Sequence, residues 1–305
     1  MPRRLSYALA AASATVLRRL LASLPAGDRS WLARRLVRDR YSPEARALAE
    51  FCERALFAWK NRQYDIRQNG EVRLLERLAP FGLREVFDVG ANVGEWAEAA
   101  CRILPSARVH AFEIAPSPLG QLQARLAPFG PRAVVNAFGL GEREGAVTIF
   151  VDPEDPTATS TLPLAVEFDP GVQRTKQAER LTASITTGDA YLARHGIATV
   201  DLLKIDVEGA EPKVLAGFSE AMASGRVRLI QFEYGWMNAH TGATLKSFYQ
   251  WLVPLGFRIG KLYPEGVAFK PYAYGDEDFL GPNYVACHES WPEAMAALRC
   301  PPLGP

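Results

Sequence analysis

The sequence has few cysteines and shows no pairing among them. Its four cysteines, Cys52, Cys101, Cys287 and Cys300, are scattered, and no C-x-x-C pair occurs. This spacing argues against a disulfide framework and against a zinc site, and it fits free thiols in a reducing compartment. Internal repeats and low-complexity tracts are also missing.

Long hydrophobic runs and a strong overall charge are absent as well. The 305 residues carry a net charge of +1 and are 48% hydrophobic, which is typical of a globular protein and gives no reason to expect a nucleic-acid partner. The charge is uneven, because residues 1–40 hold nine arginines and two aspartates. The run Leu5–Leu17 is too short to span a bilayer. A signal peptide is one reading of it, but an amphipathic helix lying on the domain or on an anionic membrane face fits better.

The dinucleotide signature G-x-G-x-x-G is missing, and a different glycine motif stands in its place. Glu85–Val89 is an apolar run interrupted by Asp88, as expected of a buried parallel strand. Gly90 and Gly94 then form a G-x-x-x-G turn, after which apolar residues recur at helical spacing. Strand, glycine turn and helix in this order predict a nucleotide site at the carboxyl end of a parallel strand.

The side chains around this turn indicate which nucleotide it binds. Asp88 and Glu95 lie beside the turn, and carboxylates are poor neighbours for phosphates but good ones for a cation. S-adenosylmethionine has no phosphate and carries a sulfonium and an ammonium, so the pattern favours this methyl donor over NAD. Glu113 ends a second apolar run 25 residues after Asp88, where it is placed to accept hydrogen bonds from two ribose hydroxyls.

A second motif lies at residues 200–211, Val-Asp-Leu-Leu-Lys-Ile-Asp-Val-Glu-Gly-Ala-Glu. The predicted strand Leu202–Val207 puts Lys204 and Asp206 on the same side, because side chains alternate along a strand. Asp206 lies near the carboxyl end, where ligands of open α/β sheets bind. The pair is either functional or purely structural, and charges are rarely buried in a central strand without a role.

Other segments have two readings each. Asn136, in the predicted strand Ala133–Leu140, reads the adenine edge or forms a turn. The polar segment 152–180 is a substrate-facing lid or is disordered. The aromatic-rich segment 263–284 forms a wall against a substrate or covers a sheet edge. His240 is a base near the strand that ends in Glu233, or an ordinary surface histidine.

With these motifs in hand, the chain resembles the FkbM family of methyltransferases over about residues 70–287. The resemblance rests on Phe87–Gly94, Phe112-Glu113 and Asp201–Glu211. It implies the α/β class I methyltransferase fold, which is Rossmann-like: a seven-stranded, mostly parallel sheet with a reversed last strand and helices on both faces. It also implies S-adenosylmethionine as donor and a hydroxyl oxygen as acceptor, on a small molecule, a glycan or a lipid-linked group.

Three segments follow along the chain: a basic helical extension (1–69), the methyltransferase domain (70–288) and a surface tail (289–305). The donor is a cytoplasmic metabolite, which places the protein in the cytoplasm, with contact to the inner face of a membrane through residues 1–40 as an option. The oligomeric state is not predicted.

The hypothesis divides the site residues into two groups. Those assigned to the donor are Asp88, Gly90, Ala91, Asn92, Gly94, Glu113 and Asn136. Those assigned to orienting or deprotonating the acceptor are Asp206, Lys204, Glu208 and Glu233. A Mg²⁺ held by Asp206 and Glu233 is a less favoured alternative, and no metal ligand is assigned. Two rival functions are a catalytically silent binding module of this fold and an NAD(P)-dependent oxidoreductase.

Overall fold

The computed structural model describes residues 14–152, 159–161 and 178–301. The chain divides into two compact units, residues 1–60 and residues 61–305, whereas the sequence predicted a boundary after residue 69. The start of the run Leu5–Leu17 and most of the segment 152–180 lie outside the described residues. Among the described residues, no helix has the length and apolar character needed to cross a membrane.

The first unit is helical, as predicted. Residues 14–23 are helical, and helices α1 (Ala26–Leu36) and α2 (Pro43–Trp59) follow. Helix α2 begins where the Ser42 side chain accepts a hydrogen bond from the Ala45 backbone N–H, so serine acts as its N-cap. Ala45 is the only buried residue among those described in this unit.

The second unit is built on a mixed eight-stranded sheet. The strands of this sheet are β1 (Glu85–Val89), β2 (Arg108–Phe112), β3 (Ala133–Asn136), β8 (Leu202–Ile205), β9 (Leu229–Glu233), β10 (Phe257–Tyr263), β11 (Gly266–Phe269) and β12 (Asn283–His288). Their spatial order is β11-β10-β12-β9-β8-β1-β2-β3. Strands β3, β2, β1, β8 and β9 are parallel, and β12 is antiparallel to both of its neighbours. This is the class I methyltransferase fold with its reversed last strand, as predicted. The eighth strand, β11, arises because the chain folds back on β10 within the segment that was predicted to be a loop.

Helices cover both faces of this sheet. They are α3 (Glu71–Leu78), α4 (Glu95–Ile103), α5 (Pro116–Leu126), α6 (Gly188–His195), α7 (Glu211–Ala216), α8 (Ser219–Ala223), α9 (Trp236–Thr241), α10 (Leu245–Leu252) and α11 (Pro292–Leu298). Alternate residues of β1 enter two different cores: Phe87 packs in the core that holds α6, α7, α8 and α10, and Val86 in the core that holds α3, α4, α5 and α11. The central strands are therefore buried on both faces, which explains their nearly continuous apolar sequences.

A second, four-stranded sheet has the order β4-β7-β5-β6. Its strands are β4 (Gly139–Leu140), β5 (Gly145–Val151), β6 (Thr159–Ser160) and β7 (Glu179–Thr186). The predicted strand Ala133–Leu140 was therefore wrong as one element. It breaks after Asn136, and its last two residues join the second sheet.

The carboxyl-terminal segment was predicted to be a surface tail, and this was wrong. Helix α11 follows the buried Trp291, and Ala294 and Leu298 on this helix are fully buried in the core beside α3. The Arg228 guanidinium lies 3.8 Å from the centre of the Trp291 ring. Residues 291–298 thus form part of the folded domain.

Candidate active site

Gly90 forms the corner at which strand β1 ends. Its φ is +86°, a conformation that favours glycine, and the Gly90 and Ala91 N–H groups donate to the Phe112 carbonyl at 3.0 and 2.9 Å. A Cβ on Gly90 would lie 1.8 Å from the Asp206 carbonyl oxygen. Glycine is therefore required here so that the ends of β1 and β8 can approach each other.

Glu113 follows β2 directly and supports the loop after Gly90. Its carboxylate accepts hydrogen bonds from the Asn92 N–H and the Ala115 N–H, each at 2.7 Å. Burial raises the pKa of Glu113, and these backbone donors partly oppose that shift. Each carboxylate oxygen has lone pairs left over, so Glu113 can still accept hydrogen bonds from a ligand.

Two cavities meet at this corner. The first, of about 240 Å³, is lined among others by Glu113, Ile114 and Leu140. The second, of about 230 Å³, is more polar and is bordered by Glu71, Trp96, Lys204, Glu233 and Asn283, among others. Three residues border both cavities, namely Gly90, Asn92 and Asp206. Among the residues that the structure describes, the shared boundary thus holds one carboxylate and no cationic side chain.

Lys204 lies buried beneath the second cavity. Its Nζ donates to Asp88 Oδ1 at 3.1 Å and to Asp206 Oδ2 at 3.2 Å, and it lies 5.7 Å from the centre of the Trp96 ring. Burial alone would lower the pKa of Lys204, but the carboxylates of Asp206, Asp88 and Glu71 raise it above its ordinary value. Lys204 therefore stays protonated and holds the Asp206 carboxylate in place.

Three carboxylates gather at the ends of β8 and β9. One oxygen from each of Asp206, Glu208 and Glu233 lies within 4.8 Å of the others. Burial raises the pKa of Glu233 well above its ordinary value, and the nearby Asp206 and Glu208 raise it further. Glu233 therefore keeps its proton at pH values at which an ordinary glutamate is ionised.

The structure brings most of the predicted site residues to these cavities. Of the donor group, Gly90 and Asn92 border both cavities, Glu113 borders the first and Ala91 the second. Of the acceptor group, Asp206 borders both, Lys204 and Glu233 the second, and Glu208 the first. The remaining donor residues, Asp88, Gly94 and Asn136, line neither cavity.

The structure does not bring Asp88 or Asn136 to either cavity, so their assignment to the donor stays a prediction. Asp88 is fully buried in β1, and Lys204 neutralises its charge, so it offers no free negative charge to a cation. Asn136 is turned inwards: its amide donates to the Ala111 and Val134 carbonyls, and its oxygen accepts from the Tyr191 hydroxyl. Gly94 is the N-cap of helix α4 at φ +85°, and a Cβ there would lie 2.6 Å from Leu122 Cδ1, so close packing requires glycine at this position.

Two residues at the second cavity escaped the sequence reasoning. Glu71 is 3% exposed, and its carboxylate accepts from Asn69 Nδ2 at 2.7 Å and from Gln231 Nε2 at 2.5 Å. The Trp96 indole nitrogen is buried and has no hydrogen-bond partner among the described residues. Neither residue stood out in the sequence, because Glu71 looked like the acidic first turn of a helix and Trp96 like a core residue.

Neither His240 nor the aromatic side chains of the segment 263–284 line the cavities at this corner. His240 is exposed on α9, packs edge-on against Trp236, and borders a separate cleft of about 500 Å³ that meets the first cavity at Lys213. None of the aromatic side chains between residues 263 and 284 that the structure describes lines either cavity at the corner.

The sequence is similar to known methyltransferases. A family model for the methyltransferase FkbM domain matches residues 88–259, which is more than half of the chain. The chain is 31% identical over 155 residues to the 31-O-demethyl-FK506 methyltransferase FkbM of Streptomyces tacrolimicus, a match that covers 45% of this chain and 60% of that protein. It is 24% identical over 201 residues to the 2-O-methyltransferase NoeI of Sinorhizobium fredii, covering 64% and 79% of the two chains.

Among solved structures, a putative O-methyltransferase from Klebsiella pneumoniae aligns with 10% identity and a TM-score of 0.38, over 72% of this chain and 79% of that one. The sheet order, the glycine corner and the match of the family model over residues 88–259 agree with one another. The chain belongs to the FkbM family of methyltransferases.

Proposed function

We propose that this protein methylates a hydroxyl oxygen of a small-molecule, glycan or lipid-linked acceptor, with S-adenosylmethionine as donor. The observation that carries the proposal is the meeting of the two cavities at Gly90, Asn92 and Asp206. A sulfonium is a cation, and Asp206 is a carboxylate at this boundary. Membership of a methyltransferase family leaves the oxidoreductase alternative without support.

The residues of the two cavities suit the two ends of the donor. In the first cavity, Glu113 would accept hydrogen bonds from the ribose hydroxyls, as acids at this strand end do. In the second, the Trp96 indole N–H, which has no partner among the described residues, and the Lys204 ammonium are donors suited to a carboxylate, while the Glu71 carboxyl group is an acceptor suited to an ammonium. An amino-acid group carries both charges, and the second cavity offers partners for both.

Asp206 is the candidate base for the acceptor hydroxyl. Bound S-adenosylmethionine would supply an electrophilic methyl carbon. Asp206 would accept the hydroxyl proton as the acceptor oxygen bonds to the methyl carbon and the carbon–sulfur bond breaks, which leaves S-adenosylhomocysteine. Lys204 would hold the carboxylate in the required orientation. Glu233, which keeps its proton, is suited to donating a hydrogen bond to Asp206 rather than to acting as the base.

The test begins with methyl-labelled donor, an extract of hydroxylated metabolites, and detection of S-adenosylhomocysteine. At saturating donor, Asp206→Asn should lower turnover by about 100-fold or more, because general bases contribute at least this much. Full turnover in this variant would remove Asp206 from catalysis. Donor binding without any S-adenosylhomocysteine, for any acceptor pool, would favour the silent binding module instead.

Donor binding is tested separately by calorimetry. Glu113→Gln should weaken S-adenosylmethionine binding by about 10-fold or more, because a charge-assisted hydrogen bond contributes roughly 1.5–3 kcal/mol. Glu142→Gln is the matched control, since Glu142 is an exposed glutamate at the rim of the same cavity. Equal affinities for the two variants would contradict the assigned role of Glu113.

Metal dependence is tested with EDTA. The proposal assigns Asp206 as the base and Glu233 as a hydrogen-bond donor, and it uses none of Asp206, Glu208 and Glu233 as a metal ligand, so turnover should survive the chelator. Loss of turnover that added Mg²⁺ restores would instead assign these three carboxylates to a cation.

The donor is a cytoplasmic metabolite, and we therefore propose that the protein works in the cytoplasm, with residues 1–40 in contact with an anionic membrane face. The charge of this segment supports that location.

A further inference from the structure

Exposed apolar side chains are concentrated in the first unit. In the described chain, 14 large hydrophobic side chains are exposed, and 11 of them lie between residues 16 and 59. These are Val16, Leu17, Leu20, Leu21, Trp31, Leu36, Val37, Tyr41, Phe51, Leu56 and Trp59. Such a concentration of exposed apolar side chains in one segment indicates an interaction site.

The same unit carries most of the positive charge. Residues 14–40 contain seven arginines and two aspartates, whereas the whole chain has a net charge of +1. None of these seven arginines forms an ion pair with any residue that the structure describes. Their charges are thus available to an external anion.

We infer that residues 14–60 bind the surface of a membrane that contains anionic lipids. A lipid surface offers headgroup charges for the arginines and an apolar layer for side chains such as Trp31, which is 62% exposed. No described helix can span the bilayer, so the contact is one in which helices lie along the surface. This extends the location proposed above and does not depend on methyl transfer.

Two other binding partners would each match only one of the two features of this segment, its apolar side chains or its arginines. A second copy of the chain would bury apolar side chains but would bring two arginine-rich segments of like charge together, which is unfavourable. A nucleic acid would neutralise the arginines but would leave 11 exposed apolar side chains largely uncovered. An anionic membrane covers both features.

The experiment measures sedimentation of the full chain with vesicles of phosphatidylcholine alone or mixed with phosphatidylglycerol. Binding should require the anionic lipid and should weaken at high salt. Arg34→Gln/Arg35→Gln should lower the partition coefficient by about 30-fold, since each arginine contributes about fivefold at such a surface. The matched control is Arg73→Gln/Arg102→Gln, which removes the same charge from two arginines that are 63% and 65% exposed in the second unit.

The apolar contribution is tested with one aromatic residue in each unit. Trp31→Ser should weaken vesicle binding by about tenfold, whereas Tyr274→Ser, at an 88% exposed tyrosine of the second unit, should leave it unchanged. Circular dichroism confirms that each variant is folded, and turnover without vesicles shows that methyl transfer is unaffected.

Three outcomes would overturn the inference. The first is an equal loss of vesicle binding in the Arg34/Arg35 variant and in its control. The second is equal binding to both vesicle types, and the third is a stable dimer in solution that binds no vesicles. A failure of methyl transfer alone would leave the vesicle result intact, so the two proposals fail separately.

Discussion

At the residue scale, Lys204 and Asp88 form a buried ion pair on which the centre of the sheet depends. The Lys204 side chain is 5% exposed and that of Asp88 is fully buried. Lys204→Met should therefore lower the free energy of unfolding by about 3–5 kcal/mol, because it leaves the Asp88 carboxylate buried without its partner. Urea unfolding followed by circular dichroism measures this loss.

The double variant and a surface control complete that experiment. Asp88→Asn/Lys204→Met should lose less stability than Lys204→Met alone, since no buried charge is left unpaired. Lys246→Met, at an exposed lysine, should change stability by less than about 0.5 kcal/mol. If the double variant were the less stable of the two, the loss would arise from packing and not from the unpaired carboxylate.

A second residue-scale prediction concerns Glu211, which is buried and accepts hydrogen bonds from the Val207 and Gly209 N–H groups. Burial raises the pKa of Glu211 from 4.5 to about 7. The folded state therefore holds a proton that the unfolded state has already released, so stability falls as the pH rises from 4.5 to 7. Above that range the contribution of Glu211 is constant.

Glu211→Gln should remove this part of the pH dependence, which amounts to about 3 kcal/mol. The measurement is urea unfolding at several pH values across the range. Glu220→Gln, at an exposed glutamate of α8, should keep the wild-type dependence. An unchanged pH profile in Glu211→Gln would mean that another group titrates.

At the residue level, the sequence predicted contacts only between residues that are close together in the chain. Lys204 and Asp206 are two residues apart in one strand, so their common side followed from strand geometry and is confirmed by the shared hydrogen bond. The contact between Lys204 and Asp88 joins residues 116 positions apart, and only the register of β1 against β8 brings them together. The sequence could not show that Asp88 was already neutralised.

At the element scale, the turn after β1 needs glycine for space as well as for conformation. Gly90→Ala should lower the free energy of unfolding by several kcal/mol, about 1–2 from the positive φ and more from the collision with the Asp206 carbonyl. The matched control is Gly82→Ala, because Gly82 has φ +63° and nothing within 4 Å of a built Cβ.

Gly82→Ala should thus show only the conformational part of the loss. Urea midpoints give both values, and S-adenosylmethionine calorimetry shows whether the corner still binds. Equal midpoints for the two variants would mean that β1 and β8 can move apart at no cost, contrary to the close approach seen here.

Element boundaries followed from the sequence wherever the apolar pattern had a clear end. The strand Glu85–Val89 has the predicted limits, and the strand predicted over Leu202–Val207 ends two residues earlier, at Ile205. The prediction failed where tertiary contacts decide. Residues Ala133–Leu140 divide between two sheets, and the helix Pro292–Leu298 is held by the burial of Trp291 and Leu298 in a core formed by distant residues. Proline and glycine around that helix made it look like a tail.

At the scale of the whole molecule, the chain consists of a basic helical unit and a methyltransferase unit. The boundary between Lys60 and Asn61 differs from the predicted one because Asn61 belongs to the second unit: its amide donates to the Asn69 and Leu262 carbonyls at 2.8 and 2.9 Å. The family resemblance predicted the fold of the second unit. The first unit lies outside the resemblance, and its surface became evident only from the exposure of its side chains.

Removal of residues 1–60 should therefore separate the two roles. The remaining chain keeps the glycine corner, both cavities and the hydrogen bonds of Asn61, so S-adenosylmethionine affinity should stay within about twofold of the full chain, as expected for a domain with its own core. Binding to anionic vesicles should be lost, because the arginines and the exposed apolar side chains lie in the removed unit. Calorimetry and vesicle sedimentation on the same preparation measure the donor affinity and the vesicle binding.

A shortened chain that still sediments with anionic vesicles would place the lipid contact in the methyltransferase unit. A shortened chain that is folded but no longer binds S-adenosylmethionine would show that residues 1–60 take part in the donor site.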